Sequence, residues 1–200
     1  MGVKRETFRR RAGQDDAAVD GLATSLRPRL DAYVELVRRW APRIDLTSDR
    51  DLERFEDRHI RDALRAVPLV RALPGGIAID VGSGAGLPGI PLALAQPERQ
   101  WRLLEPRRKR AAFLEEVVRE LDLTCEVVCL RAQTAARREA YRAGHVLAIA
   151  RAVAPLHEAF AMVIPLVASG GVGAVFASAT ASVPPKAELW RGWLPIMRLE

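Results

Sequence analysis

IAIDVGSGAGLPGIPLALA, residues 77–95, passes from a short apolar run through three alternating glycines into a second apolar run. The first run is typical of a buried strand, and the second is typical of a helix that opens with prolines. Gly82, Gly84 and Gly86 would weaken either element, so they predict a sharp turn that another group approaches closely. Strand, turn and helix together indicate a parallel sheet that binds a ligand at the carboxyl ends of its strands.

The alternation of strands and helices continues toward the C-terminus. Further strands are predicted in QWRLLEP, CEVVCL, HVLAIARAV and GGVGAVFAS, with helical segments between the strands. We therefore predict an α/β fold with a Rossmann-like, doubly wound, mostly parallel sheet. Residues 17–65 have helical spacing instead and are expected to form an N-terminal helical cap. We expect a basic N-terminus at residues 1–16 and the sheet-containing domain at residues 66–200.

The composition is that of an ordinary globular protein with a basic surface. Of the 200 residues, 49% are hydrophobic and 28% are charged, and the net charge is +6. Arginine clusters such as residues 107–110 favour a polyanionic partner such as nucleic acid, and arginines on a solvated surface are the alternative. The sequence contains no membrane-spanning apolar stretch and no signal peptide, so we expect a cytoplasmic protein, and a monomer.

Cysteine usage gives no indication of a metal centre. Cys125 and Cys129 are the only cysteines, and no pair of histidines lies near them in the sequence. We therefore expect reduced thiols and no metal site.

The glycine spacing separates two classes of nucleotide-like cofactor. A dinucleotide fold needs G-x-G-x-x-G, and Leu87 occupies the position of the third glycine. The pattern from Asp80 to Gly86 is D-x-G-x-G-x-G, which resembles the first motif of class I methyltransferases that use S-adenosylmethionine. An acid at Asp80 favours the cationic ammonium of that cofactor, and Glu105, at the end of the second strand, can accept both hydroxyls of a ribose. A glycine turn that only packs a helix on a strand is the alternative.

Longer segments make the resemblance specific. DVGSGAGLPGIPLALA resembles the ribosomal RNA small subunit methyltransferase G family, also called glucose-inhibited division protein B, chiefly through its Leu-Pro-Gly-Ile-Pro-Leu portion. RWAPRIDLTS, HIRDAL, KRAAFLEEVVRELDL and ARAVAPL resemble other family segments in the same order. The resemblance implies transfer of a methyl group from S-adenosylmethionine to N7 of a guanosine in 16S ribosomal RNA. The partner would be that RNA, or a small-subunit assembly particle.

The resemblance and the glycine motif assign the cofactor contacts. The predicted contacts are Asp80, Gly82, Ser83, Gly84, Gly86, Leu87, Glu105, Ala132, Gln133 and Arg151. Arg151, at the end of the fourth strand, is also the candidate for positioning cofactor or guanine, and capping of backbone carbonyls is its alternative role. The reaction itself needs no general base, because guanine N7 carries a lone pair and no proton.

Three residues are candidates for RNA contact. Lys109 and Arg110 begin a predicted helix, where cations are unfavourable to the helix dipole unless an anion such as RNA phosphate lies nearby. A solvated helix start is the alternative. His59 and Asp62 share a helix face, so His59 would border the cleft or form a structural hydrogen bond with Asp62.

Several positions depart from the family pattern. Asp45 replaces the usual Asn, Gln133 replaces the usual Glu, and the family's Lys-Gly pair falls on Ala177 and Ser178. The chain ends at Glu200, so we expect the last strand to be missing and an edge to be exposed. A non-catalytic RNA- or cofactor-binding relative is the main alternative function. A nucleotide oxidoreductase and a small-molecule methyltransferase are further alternatives.

Overall fold

The computed structural model describes residues 16–48, 52–177, 182–191 and 193–200. Ser178 and all but the last residue of the predicted basic N-terminus therefore lie outside the described residues. The first helices are α1 (16–25), α2 (Arg27–Trp40), α3 (Arg61–Leu64) and α4 (Val67–Ala72), and a π-helical segment, Phe55–Ile60, directly precedes α3. None of the helices in the described ranges combines the length and apolar character that crossing a bilayer requires.

α2 shows why this part of the chain is helical. Pro28 lies in its first turn, where proline is tolerated because the N–H that it lacks would have no helical partner. Leu30, Tyr33 and Val37 recur at helical spacing, and each is at most 1% exposed. The two arginines in the last turn stand where the helix dipole favours cations. α2 therefore presents one continuous apolar face to the rest of the protein.

The strands form one sheet. They are β1 (Ala78–Val81), β2 (Trp101–Leu104), β3 (Cys125–Val128), β4 (His145–Arg151), β5 (Val167–Phe176), β6 (Glu188–Trp190) and β7 (Leu194–Arg198). The helices between them are α5 (Gly89–Ala95), α6 (Arg108–Glu120), α7 (Ala132–Ala135) and α8 (Leu156–Val163), and α8 continues into a short 3-10 turn, Ile164–Leu166. Within the described residues the strand order is β3-β2-β1-β4-β5-β7-β6.

The order of the strands locates a ligand crevice. β1 pairs in parallel with β2 on one side and with β4 on the other, so the winding direction reverses between β1 and β4. Ligands of open parallel sheets bind outside the carboxyl ends of the strands at such a reversal. The predicted α/β, doubly wound, mostly parallel sheet is confirmed, and the glycine turn leaves β1 at this point.

The C-terminal part of the sheet differs from the prediction. β7 pairs antiparallel with β5, and β6 pairs with β7, so the sheet continues past β5 with two strands that the sequence did not predict. That the family's last strand is missing stays a prediction. Leu194 and Ile196, two residues apart, are fully buried, which is the period of a strand with one face in the core. Trp193 packs edge-on against Phe176 at a centroid distance of 5.5 Å. Trp190 and Trp193 therefore both pack on the buried core.

Two clusters of buried side chains hold the layers together. The larger cluster includes Tyr33 of α2, Phe55 of the π-helical segment, Ile90 of α5 and Phe113 of α6. The smaller cluster joins the sheet to α7 and α8. Burial of one large apolar side chain contributes about 1.5–3 kcal/mol, so the shared cluster binds the N-terminal helices firmly to the sheet. The predicted boundary between residues 65 and 66 stays a prediction.

Candidate cofactor site and adjoining cleft

The glycine turn between β1 and α5 needs its three glycines for different reasons. Gly82, Gly84 and Gly86 have φ angles of +75°, +56° and +96°, a region that L side chains rarely adopt. A Cβ on Gly82 would lie 2.4 Å from Val153 Cγ1. A Cβ on Gly86 would lie 2.6 Å from Ile90 Cγ1. At Gly84 the nearest atoms are 3.8 Å away, so this glycine leaves room for a ligand beside the backbone.

Asp80 lies completely buried beneath the turn. Its Oδ2 accepts a hydrogen bond of 3.0 Å from the Gly89 N–H, which ties the end of β1 to the start of α5. Its Oδ1 is buried without a hydrogen-bond partner among the described residues. Burial raises the pKa of Asp80 to about 7, against the opposing effect of the bond from Gly89. A cation near Oδ1 would favour the charged carboxylate, which is the role that the sequence predicts for the cofactor ammonium.

Ser83 is used inside the turn. Its hydroxyl donates to the main-chain carbonyl of Asp80 at 3.0 Å, and the residue is 2% exposed. The Ser83 hydroxyl therefore stabilises the turn, and its predicted cofactor contact would have to involve the backbone.

Glu105 joins the end of β2 to the glycine turn. Its Oε2 accepts a 2.9 Å hydrogen bond from the Gly84 N–H, and its Oε1 accepts one of 2.9 Å from the Arg107 N–H. Each carboxylate oxygen keeps a second lone pair, so the side chain retains acceptors for two ribose hydroxyls. The structure thus brings Asp80, the glycines and Glu105 together. It adds a positioning role for Glu105 that the sequence did not indicate.

The remaining predicted cofactor residues lie around this group. Leu87 is half-buried at the end of the turn and packs on the larger core cluster. Ala132 is buried and Gln133 is exposed in α7, which follows β3 at the same edge of the sheet. Their contacts with a cofactor stay predictions.

Arg151 connects the end of β4 to the helical cap. Its Nη1 donates to the His59 carbonyl at 3.1 Å, and its Nη2 lies 2.6 Å from His59 Nδ1. The same guanidinium lies 3.5 Å from Asp62 Oδ2. The contact with the His59 carbonyl is the backbone capping considered as one of the two roles of Arg151. Its other role, positioning cofactor or guanine, stays a prediction. His59 and Asp62 both contact Arg151, and Asp62 and Arg151 lie in the wall of the cleft described below.

The start of α6 differs from the sequence-based interpretation. The dipole argument suggests an external anion at Arg110, with a solvated helix start as the alternative, but Arg110 Nη2 lies 3.0 Å from Asp45 Oδ2 and also donates to the Asp45 carbonyl. Arg107 lies 3.4 Å from the same carboxylate. Arg110 therefore has an internal acidic partner, and its contact with RNA phosphate stays a prediction. Lys109 is exposed.

A cleft of about 800 Å³ opens beside the carboxyl ends of β4 and β5. Its walls include Arg58, Asp62, Arg151, Phe176, Ala177 and Ser182. The Arg151 guanidinium lies 5.7 Å from the centre of the Phe176 ring. Ala152, next in the wall, has a positive φ of 52° although it is not glycine. The cleft has the size of a small-molecule or nucleoside site and combines a cation with an aromatic face.

The family model and the named relatives that match this chain agree on one protein family. The model of the rRNA small subunit methyltransferase G family matches residues 27–181. A protein named ribosomal RNA small subunit methyltransferase G from Acidiphilium cryptum is 42% identical over 72% of this chain and 64% of its own length. A relative of the same name from Frankia alni is 40% identical over 80% of this chain and 62% of its own. The chain thus spans less than two thirds of these two relatives.

Other matches extend the comparison. The Granulibacter bethesdensis protein of that name is 35% identical over 82% of this chain and 74% of its own length. Among solved structures, a Corynebacterium glutamicum protein aligns with a TM-score of 0.57 at 14% identity, over 84% of this chain and 90% of that one. A hypothetical protein of Thermus thermophilus aligns with a TM-score of 0.50 at 21% identity, over 70% and 81%. These structures support the fold alone. The match of the family model and the identity to the three relatives show that this chain belongs to the rRNA small subunit methyltransferase G family.

Proposed function

We propose that this chain methylates N7 of a guanosine in 16S ribosomal RNA with S-adenosylmethionine as the methyl donor. The observation that carries the proposal is the glycine turn, which Asp80 and Glu105 hold at the reversal between β1 and β4. The name shared by the relatives supports ribosomal RNA as the substrate. A ribosomal substrate would also place the protein in the bacterial cytoplasm, and the monomeric state stays a prediction.

The residues around the turn fit this cofactor. Glu105 offers two carboxylate oxygens to ribose hydroxyls, and Gly84 leaves space beside the backbone for the nucleoside. Asp80 is 0% exposed beneath the turn, so its carboxylate would favour a cationic ammonium above the turn through its charge and without direct contact. Gln133 would contact the adenine edge. When bound, S-adenosylmethionine supplies an electrophilic methyl group on a sulfonium.

The cleft at β4 and β5 is where we place the guanine. Arg151 would donate to guanine O6, an acceptor on the same edge as N7, so that N7 stays free. The contacts of Arg151 with His59 and Asp62 would hold the guanidinium in this orientation. Because N7 carries no proton, the protein contributes position and desolvation, and good alignment can supply about 7–11 kcal/mol.

Exposed cations support RNA as the partner. Arg108 and Lys109 project from the start of α6, and Arg131 follows β3, at the same edge of the sheet as the glycine turn. Such a group would bind backbone phosphates on either side of the target base. Lys109, Arg110 and His59 keep their proposed roles in RNA contact.

Transfer of label from S-adenosylmethionine tests the proposal. The purified protein would be incubated with undermodified small subunits and, in parallel, with bare 16S RNA. We expect label in a single guanosine, at which reduction and aniline treatment cleave the strand as they do at N7-methylguanosine. Absence of label from both substrates, in a protein that binds the cofactor, would refute methylation.

One observation favours the non-catalytic alternative. Ala177 lines the cleft at the position where the family pattern has lysine. Ala177→Lys is therefore the informative variant. If turnover appears only in this variant, the chain is a cofactor-binding relative that has lost catalysis; if the wild type already turns over, the alternative is excluded.

A further inference from the structure

We propose that Tyr33, in the helical cap, is a positioning residue that holds the glycine turn in its ligand-binding shape and thereby sets cofactor affinity. This inference rests on the proposed function, because it assumes that a cofactor lies over the turn. Tyr33 itself would not touch the cofactor, since it is 0% exposed.

The key contact is a hydrogen bond between cap and turn. Tyr33 Oη donates to the main-chain carbonyl of Ala85 at 2.6 Å, in a buried environment. Burial raises the pKa of Tyr33 well above its ordinary value, so the hydroxyl stays protonated and remains a donor. A buried carbonyl that loses such a partner carries a substantial desolvation penalty. The turn therefore depends on an atom contributed by α2.

The turn is held from two opposite sides. On the sheet side, Glu105 accepts from the Gly84 N–H at 2.9 Å. On the cap side, a Cβ added to Gly86 would come within 3.0 Å of the Tyr33 hydroxyl, which shows how closely the tyrosine covers the turn. Within the turn, the N–H of Gly86 donates to the Ser83 carbonyl at 2.7 Å. This internal hydrogen bond does not use the Ala85 carbonyl, which accepts from Tyr33 instead.

The tyrosine ring is itself fixed by a second aromatic residue. Phe55 packs edge-on against Tyr33 at a centroid distance of 5.7 Å. The ring of His59, on the same π-helical segment, packs edge-on against Phe55 at 5.9 Å, and His59 contacts Arg151. The placement of the hydroxyl is thus determined by packing that continues to the wall of the cleft.

Tyr33→Phe tests the proposal, because it removes the hydroxyl and keeps the ring. The chain has two tyrosines, and Tyr141→Phe is the matched control, since Tyr141 packs under the Arg102 guanidinium on another part of the sheet. Calorimetric titration with S-adenosylhomocysteine, well below the melting temperature of each variant, should show about three- to tenfold weaker binding for Tyr33→Phe, the range expected for a net buried hydrogen bond. The control should bind like the wild type.

The outcomes separate this inference from the proposed function. If the wild type does not bind S-adenosylhomocysteine, the proposed function fails and this inference fails with it. If the wild type binds and Tyr33→Phe binds equally well, only the role of Tyr33 is refuted. A purely structural role would lower the melting temperature and leave the affinity unchanged.

A measurement on the unmutated sequence covers the case in which Tyr33→Phe does not fold. Wild-type protein labelled with 3-fluorotyrosine gives two fluorine signals, which Tyr141→Phe assigns. We expect the Tyr33 signal to shift when S-adenosylhomocysteine binds and the Tyr141 signal to stay in place. A Tyr33 signal that does not move on binding would overturn the proposal.

Discussion

Replacing Asp80 with Asn should make the cofactor-free protein more stable at neutral pH and weaken its cofactor binding. The carboxyl is completely buried, and its pKa is raised from 3.8 to about 7, chiefly by desolvation. Between these two pKa values the folded state holds a proton that the unfolded state has released. Stability therefore falls as pH rises from about 4 to 7, because the unfolded state binds fewer protons.

The size of the effect follows from the shift. One pKa unit corresponds to about 1.4 kcal/mol, so a shift of roughly three units lowers the free energy of unfolding by about 4 kcal/mol at neutral pH. Asn keeps an acceptor for the Gly89 N–H but buries an amide group, which costs about 1–3 kcal/mol when it finds no partner. We expect a net stabilisation of about 1–3 kcal/mol at pH 7.5.

Urea unfolding without cofactor, at several values between pH 5 and 8, measures this effect. The difference between Asp80→Asn and wild type should grow from pH 5 to about pH 7 and level off above it. Asp31→Asn, which changes a half-exposed carboxylate on α2, is the control and should show a nearly constant difference. A difference for Asp80→Asn that is equally constant would show that this carboxyl does not titrate near neutrality. Calorimetry should show weaker binding of S-adenosylhomocysteine by Asp80→Asn.

Three further predictions follow from single contacts. Burial lowers the pKa of His145, whose Nδ1 lies 2.8 Å from the Leu166 carbonyl, so the folded state favours the neutral ring. His145→Asn should therefore reduce the loss of stability that acidification below about pH 6.5 causes, measured by urea unfolding of both proteins. Glu105→Gln should lower the free energy of unfolding by about 1–3 kcal/mol and cofactor affinity by at least about tenfold, because one side-chain oxygen that accepts a hydrogen bond is replaced by an NH2 group. Unchanged values in urea unfolding and in calorimetry would contradict this prediction. Asp45→Ala should cost less than about 1 kcal/mol in urea unfolding, because its carboxylate is 86% exposed and its bond with Arg110 is screened by solvent.

Local patterns in the sequence sufficed for the parallel part of the sheet and for the turn at the end of β1. The alternation of strands and helices predicted the parallel core, and the glycine spacing placed the turn correctly at the end of β1. Asp80 and Gly84 were predicted to lie together because they belong to the same short motif. Glu105 was predicted to join them because an acid at the end of the second strand has a recognisable spacing from the glycines.

Contacts between distant segments could not be predicted in this way. Tyr33 reaches Ala85 across 52 positions, and Asp45 reaches Arg110 across 65, and neither distance corresponds to the period of any element. Without the fold, Tyr33 is only an apolar-face residue of α2, and Asp45 is only a departure from the family pattern. β7 was missed because Pro195 interrupts its alternation, although Leu194 and Ile196 keep the strand period.

The continuous core between cap and sheet has a consequence for how this protein can be shortened or recombined. A fragment that began after the cap would leave the partners of Tyr33 and Phe55 in water, and the Ala85 carbonyl would lose its donor. Exchange of the cap between homologues would therefore disturb the cofactor turn unless the aromatic pair came with it. The N-terminal helices should be inherited as a unit with the Rossmann-like sheet, not as an interchangeable recognition module.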